Sequence, residues 1–399
     1  MLILCDRLYD GVSPSFLGNQ TIVVRDGQIK SVKTTSDEDR LSGNAVRVAV
    51  ASPGMIDIQI NGAADTQFNF SPSPEALATI AWGARQGGTA SILPTFITAH
   101  GQSYLNAIDA VRKAISSDVP GLIGIHLEGP FLSPARPGIH DPSAIRPLEE
   151  EDVCALEQQA RDFPGVILLT LAPECQNASH LERLAASGII LFAGHSEATQ
   201  ADLTKIRGAT HLWNAMPAPT SRVSGIVSEV LGGNRLFAGI IADGFHVGEQ
   251  ALTMSVRSAA DRLCLVTDAM MTLAGTSSGF DLDGRYISLA DGRLTSADGT
   301  LAGAHIAMDT SLQTLIRLTG VDAVTALQMA TVNPARALGL EKRFGRIASG
   351  YSANLSLFDE HLNATGVVTQ GNLLMQNDSS QSVSNGFPAI GAVFVNSRS

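Results

Sequence analysis

Charge is scarce in this chain and leans one way: charged residues are 16% of 399, with 27 Lys and Arg against 38 Asp and Glu, a formal net charge of -11. No basic footprint exists, which argues against nucleic acid or an anionic membrane surface as partner; any anionic ligand has to be met by local cations. Aromatic residues are few, at 5%. Cysteine is limited to Cys5, Cys154, Cys175 and Cys264, with no Cys-x-x-Cys pair and no spacing of a disulfide framework, so a reducing cytoplasm is the expected compartment. The first residues lack the basic-then-apolar pattern of a signal peptide, and no apolar run is long enough to cross a bilayer, which reads as soluble and intracellular. What the chain does have is 44% hydrophobic residues and 38 glycines, a globular composition long enough for one large barrel and a small accessory domain.

From Gly54 to about Leu340, short β-branched runs alternate with amphipathic stretches, the pattern of repeated βα units. Eight strands are expected, at 55–60, 91–97, 122–127, 166–171, 189–193, 210–213, 239–242 and 263–267. Helices are expected at 74–86, 102–115, 149–161, 179–186, 197–206 and 248–260. Eight such units predict an α/β protein with a closed (β/α)8 barrel over residues 52–343. Residues 1–51, with an Asp26-Gly27 turn, and 344–376 read as two parts of one small β-sandwich domain, because each half-sheet needs a partner for its apolar face. Residues 270–304 carry Asp-Gly turns at 283, 291 and 298 and form a candidate active-site cover. Residues 377–399, rich in Ser and Asn, read as a loosely held extension.

In a barrel of this kind catalytic groups stand at the carboxyl ends of strands, so polar strand ends are informative. Strand one reads Asp57-Ile58-Gln59-Ile60-Asn61, with Asp57, Gln59 and Asn61 on one face. Strand three ends His126-Leu127-Glu128-Gly129-Pro130, strand five runs into Gly194-His195-Ser196, and strand six carries His211. One carboxylate and two imidazoles on neighbouring strand ends meet the need of a catalytic divalent metal, most simply zinc, for three protein ligands and an open position. Each alone could be an ordinary satisfied polar residue; the three together carry more weight. Strand eight ends Val266-Thr267-Asp268-Ala269, placing Asp268 where a carboxylate could take a proton from water and return it to a leaving amine. His140, in the loop after strand three, could polarise a carbonyl, and Arg222 and His246 could meet an anionic group.

These segments, in this order and with Pro53-Gly54-Met55-Ile56-Asp57, Asn214-Ala215-Met216-Pro217, Ala242-Asp243-Gly244 and Asn333-Pro334-Ala335-Arg336, resemble the N-acetylglucosamine-6-phosphate deacetylases of the amidohydrolase superfamily up to about residue 375. The resemblance implies a bilobal, usually dimeric enzyme that removes the N-acetyl group of a phosphorylated amino sugar. It places the metal ligands on Glu128, His195 and His211, the acid/base on Asp268 and the carbonyl-polarising histidine on His140. It places substrate contacts on Ile139, Asn214, Ala215, Arg222, His246, Leu301, Ala302 and Gly303, with Arg222 supplied by the neighbouring subunit. The superfamily's usual His-x-His pair on strand one is here Gln59-Ile60-Asn61, a vestigial second-metal position, so one ion per subunit is implied. Met270, Met271 and His305 depart from the family pattern near the sugar, which keeps N-acetylgalactosamine 6-phosphate open as the alternative substrate. A non-catalytic, ligand-binding barrel is the alternative from another functional class.

Overall fold

The computed structural model describes residues 1–375; the expected extension at 377–399 lies outside them. Eight parallel strands form the central sheet: Met55–Ile60, Thr89–Ile97, Gly124–Glu128, Val166–Leu171, Ile190–Ala193, Gly208–Ala209, Phe237–Ile241 and Leu263–Val266, barrel strands 1 to 8 in chain order and in spatial order. Every residue of strand 2 is buried, as a parallel strand covered on both faces requires. The helices between strands bury one stripe each. In Pro74–Arg85, Ala76, Leu77, Ile80, Ala81 and Ala84 face inward, the Ser73 side chain accepts from the Ala76 N–H, and proline opens the first turn.

Strands 1 and 8 close the barrel without a regular ladder. A single bridge pairs Ile60 with Ala269, and the Asn61 and Gly62 N–H groups donate to the Ala269 carbonyl at 2.8 and 3.1 Å. Below this seam lies Asp57, wholly buried; the Thr267 hydroxyl donates to Oδ2, and the Gln59 and Thr267 N–H groups donate to Oδ1. Burial pushes the Asp57 carboxyl up to about 7, against those hydrogen bonds. The folded state therefore prefers the neutral acid: the penalty is absent below the unfolded value near pH 4, grows as pH rises, and is complete above about 7. Asp57→Asn keeps an acceptor for both N–H groups and offers its own N–H to Thr267. It should raise the melting temperature at pH 8 by about 5 °C, with the gain shrinking towards pH 4, as thermal unfolding at the two pH values would show.

Two expectations shift. Strand 6 ends at Ala209, so residues 210–213 are not strand; His211 and Trp213 take positive φ of 32° and 82° as the chain leaves the sheet. The Thr-His-Leu-Trp alternation imitates a strand, but the segment is spent on the turn that presents His211. The helix expected at 197–206 is a short 3-10 turn at Gln200–Leu203, because the chain must re-enter the sheet at Gly208 and leaves no room for more.

The flanking segments share one seven-stranded sheet. Leu2–Leu8, Leu17–Arg25, Gln28–Thr34 and Ala45–Pro53 come from the start of the chain, and Leu355–Phe358, Ala364–Thr369 and Asn372–Met375 from its end. They join where Ala45–Pro53 pairs antiparallel with Leu355–Phe358. The sheet curls so that the Ile29 N–H reaches the Tyr351 carbonyl, enclosing a core of Ile3, Leu8, Ile22, Ile29, Leu355, Leu357 and Val368. The Asp26-Gly27 turn has φ of 49° and 68°, the left-handed pair that a tight hairpin demands. The segment after strand 8 forms four antiparallel strands, Gly279–Leu282, Arg285–Ala290, Arg293–Thr295 and Leu301–Ala304, with the same turn geometry at Asp283-Gly284 and Asp291-Gly292. Their apolar side packs with Ile97, Ile139 and Met270 over the carboxyl ends of the barrel strands.

Candidate active site

A cavity of about 510 Å³ opens at the carboxyl ends of the strands, between the barrel rim and the hairpin cover. Glu128, the last residue of strand 3, is buried; its Oε1 lies 3.2 Å from His195 Nε2 and 2.9 Å from His211 Nε2, and the two Nε2 atoms are 3.1 Å apart. His195, His211 and Asp268 each stand two residues past the end of their strand and all have positive φ, at 48°, 32° and 50°. Backbone held in that region by non-glycine residues is strained, and such strain gathers at functional sites.

Glu128, His195 and His211 bring their donor atoms together as the ligands of one cation would be. His195 Nδ1 faces the Arg136 carbonyl at 2.9 Å, which only accepts, so the proton sits on Nδ1 and Nε2 turns a bare lone pair towards Glu128 and His211. Burial alone would raise the Glu128 acid, yet the imidazoles set against it, His211 donating at 2.9 Å with His195 and His140 close by, hold it well below the usual carboxylate range. Donor atoms 2.9 to 3.2 Å apart are close to the edge of a tetrahedron around an ion with ligands at ~2.1 Å, about 3.4 Å. The Glu-His-His cluster thus fits a single divalent metal ion. A second grouping, Glu128 with His140 and His195, also brings its donor atoms within 4.8 Å. His140 Nε2 stands farther off, 3.8 Å from Glu128 Oε1, and its ring packs edge-on against His195, which suits a neighbour of the ion better than a ligand.

His140 is itself fixed, its Nδ1 2.8 Å from Thr98 Oγ1, and burial together with His195 pushes its imidazole down to about 3. It is neutral at working pH; Thr98 Oγ1 also reaches the Glu128 carbonyl at 3.2 Å, so its one proton goes either to that carbonyl or to His140 Nδ1, and only the second choice places the imidazole proton on Nε2. Asp268, across the seam, accepts at Oδ1 from Asn61 Nδ2 at 2.7 Å and from Gln59 Nε2 at 3.2 Å. Gln59 Nε2 also donates to Glu128 Oε2 at 3.1 Å, so one buried amide ties the two carboxylates together. Burial, then the charge of Glu128, raise Asp268 to about 6, with His211, His246 and Asn61 pulling the other way. The strand 1 amides thus present N–H donors to both carboxylates.

Of the other expected substrate residues, Ile139, Asn214, Ala215, His246, Leu301 and Gly303 line the cavity, as do Asn61 and Met270. Ala302 does not; it is buried in the apolar core of the cover. Arg222 is exposed on the loop after strand 6 and is not part of the cavity wall. His305 is also outside that wall, 3.0 Å from Thr272 Oγ1. Three contacts escaped the sequence reading: Gln59 as a bridge, Thr98 behind His140, and Asp243, whose Oδ2 lies 2.6 Å from His246 Nδ1 and aims that ring. The signal for Asp243 was there, three residues before His246 in a Gly-containing turn. His126, on the same face as Glu128, sits lower, between Thr95 and Thr170, and burial pushes it down to about 4, a neutral core histidine.

Gly138 has φ of 57°, and a Cβ there would stand 2.9 Å from His195 Cε1. Gly138→Ala should therefore displace that ring and weaken metal binding by about tenfold, the scale of a lost supporting contact. Competition with a metal indicator gives the readout; an unchanged dissociation constant would count against the proposed packing role.

Residues 50–378 match the amidohydrolase family. The chain is 35% identical over 382 residues to the N-acetylgalactosamine-6-phosphate deacetylase of Shewanella sp. (strain ANA-3), covering 92% of this chain and 95% of the relative. It is 32% identical over 331 residues to the N-acetylglucosamine-6-phosphate deacetylase of Haemophilus influenzae, covering 80% and 84%. Among solved structures, N-acetylglucosamine-6-phosphate deacetylase from Pasteurella multocida superposes with a TM-score of 0.87 at 29% identity, covering 94% of this chain and all of that one.

Proposed function

The chain belongs to the amidohydrolase family, and from that premise we propose that it hydrolyses the acetamide of N-acetylglucosamine 6-phosphate, releasing acetate and glucosamine 6-phosphate. The observation that carries the reading is the pairing, in one cavity, of the Glu128-His195-His211 convergence with a carboxylate, Asp268, held by two amides and raised to about 6. In this reading Glu128, His195 and His211 hold the ion, most simply zinc, although several divalent ions suit such donors. When bound, that ion supplies Lewis acidity, lowering the pKa of water and polarising a carbonyl.

The protein's own groups supply the rest. Asp268 takes the proton of the attacking water and gives it to the departing nitrogen, a role suited to a carboxyl whose pKa is lifted towards neutrality. His140, neutral, donates from Nε2 to the oxygen that gains charge in the tautomer reached when the Thr98 hydroxyl turns from the Glu128 carbonyl to Nδ1. At the far side of the cavity Asn214, Ala215 and His246 meet the sugar phosphate, with Ile139, Leu301 and Gly303 closing over it. Arg222 reaches the neighbouring subunit's site in a homodimer, which accounts for an arginine exposed on a rim loop away from its own cavity. The cytoplasm is the proposed compartment: four cysteines are free, and no helix among the described residues is long and apolar enough to cross a membrane.

Acetate release from N-acetylglucosamine 6-phosphate, with metal content measured on the same sample, tests the proposal. The Shewanella relative, named for the galacto sugar, makes N-acetylgalactosamine 6-phosphate the second reading. A kcat/KM higher for the galacto than for the gluco substrate would transfer the proposal to it, and binding without acetate release would leave a ligand-binding protein.

A further inference from the structure

Asn61 is locked in place more firmly than a remnant of a lost metal site needs to be. It is 2% exposed; its backbone N–H donates to the Ala269 carbonyl at 2.8 Å and its carbonyl accepts from the Phe68 N–H at 2.9 Å. Its Nδ2 donates to Asp268 Oδ1 at 2.7 Å, and since an ionised carboxylate only accepts, the amide cannot turn over. That leaves Oδ1, which is buried and has no hydrogen-bond donor among the described residues, on a residue that lines the cavity. A buried acceptor without a donor is unfavourable, and a native site tolerates one where a bound partner completes it.

We infer that Asn61 Oδ1 accepts the N–H of the scissile acetamide, making Asn61 the group that distinguishes an amide substrate from an ester. The inference rests on the proposed deacetylation. An N-acetyl group carries a single donor, its N–H, while its carbonyl oxygen can only accept. The two ends of the Asn61 amide then serve the two partners of one proton transfer: Nδ2 steadies Asp268, which delivers the proton, and Oδ1 steadies the nitrogen that receives it. Holding the N–H sets the direction in which the nitrogen lone pair emerges as the carbonyl carbon becomes tetrahedral, and Asp268 must meet that lone pair. Gln59 is not part of the cavity wall, so its amide oxygen does not face the scissile bond.

The test compares N-acetylglucosamine 6-phosphate with 2-O-acetylglucose 6-phosphate, in which oxygen replaces the N–H, for wild type, Asn61→Ala and Asn61→Ser. Loss of support for Asp268 also weighs more on the amide, whose nitrogen must be protonated to leave. Gln59→Ala, which removes the other donor to Asp268 Oδ1, therefore gives the amide-to-ester ratio of losses for lost support alone, and the excess over it isolates the N–H contact. Relative to Gln59→Ala, both Asn61 variants should show a further loss of about 10- to 100-fold on the amide over the ester, the range of one buried hydrogen bond left unmade. An amide-to-ester ratio of losses no larger than that of Gln59→Ala would overturn the inference and leave Asn61 as a support for Asp268 alone; so would unchanged kinetics on the amide. Asn61→Ser keeps a small polar group at the same backbone position, so the comparison stands even if the alanine variant misfolds. A wild-type enzyme that releases acetate from neither substrate would instead sink the proposed deacetylation, which keeps the two failures apart.

Discussion

Asp268→Asn should lower kcat by about a thousandfold, within the 10²–10⁴ range of a lost general acid/base, while the metal content of the purified protein stays unchanged. The replacement is unusually clean here. Asp268 Oδ1 accepts from Asn61 Nδ2 and Gln59 Nε2, and an asparagine can present its own carbonyl oxygen to the same two donors. The seam between strands 1 and 8 then remains joined, and the Asp268 N–H still donates to the Gln59 carbonyl at 2.9 Å. What is lost is the second carboxylate oxygen and with it any capacity to take a proton. The pH profile is the second readout. Burial and the charge of Glu128 raise Asp268 to about 6, so the active, deprotonated form disappears as pH falls through that region. Wild-type kcat/KM should rise with pH along an acid limb at or below about 6, since a bound cation favours the ionised carboxylate, and residual turnover of Asp268→Asn should lack that limb. Near-normal acetate release in the variant would remove Asp268 from the mechanism.

His211→Asn should weaken metal binding by more than about 100-fold, beyond the 10- to 100-fold cost of losing an outer supporting group, and should abolish acetate release at ordinary metal concentrations. Asparagine is chosen because His211 has φ of 32°, a region that asparagine tolerates better than most residues, so the turn after strand 6 should survive. The contacts broken are those of Nε2 with Glu128 Oε1 at 2.9 Å and with His195 Nε2 at 3.1 Å. Metal titration by calorimetry at fixed pH reads the loss directly. Burial would lower the His211 imidazole, but hydrogen bonding to Glu128 raises it above its ordinary value, so in metal-free protein a proton bridges the two. An incoming ion must displace that proton, and wild-type affinity should fall as pH decreases. Tight stoichiometric binding in the variant would show that Glu128, His195 and His140 form the ligand set instead.

The positions of Glu128, His195, His211 and Asp268 were legible in the sequence because each is a polar residue at the end of an apolar strand, where a core has no use for it. The Asp-Gly hairpins of the cover were legible for a local reason too, the left-handed backbone that such pairs adopt. Strand 6 was misplaced since alternation alone does not reveal when a chain stops pairing, and residues 210–213 alternate while turning away. The role of Gln59 could not be read at all: its amide meets Glu128, 69 residues on, and Asp268, 209 residues on, a convergence that exists only once the barrel has closed. Thr98 behind His140 was hidden in the same way.

The seven-stranded sheet that joins the two ends of the chain imposes an order on synthesis. Strand Ala45–Pro53 leaves the ribosome about three hundred residues ahead of its partner Leu355–Phe358, and until then its edge stands open beside the emerging barrel. A nascent or prematurely terminated chain therefore displays an unpaired β edge that a finished one conceals, a mark by which chaperones and proteases can tell incomplete molecules from complete ones.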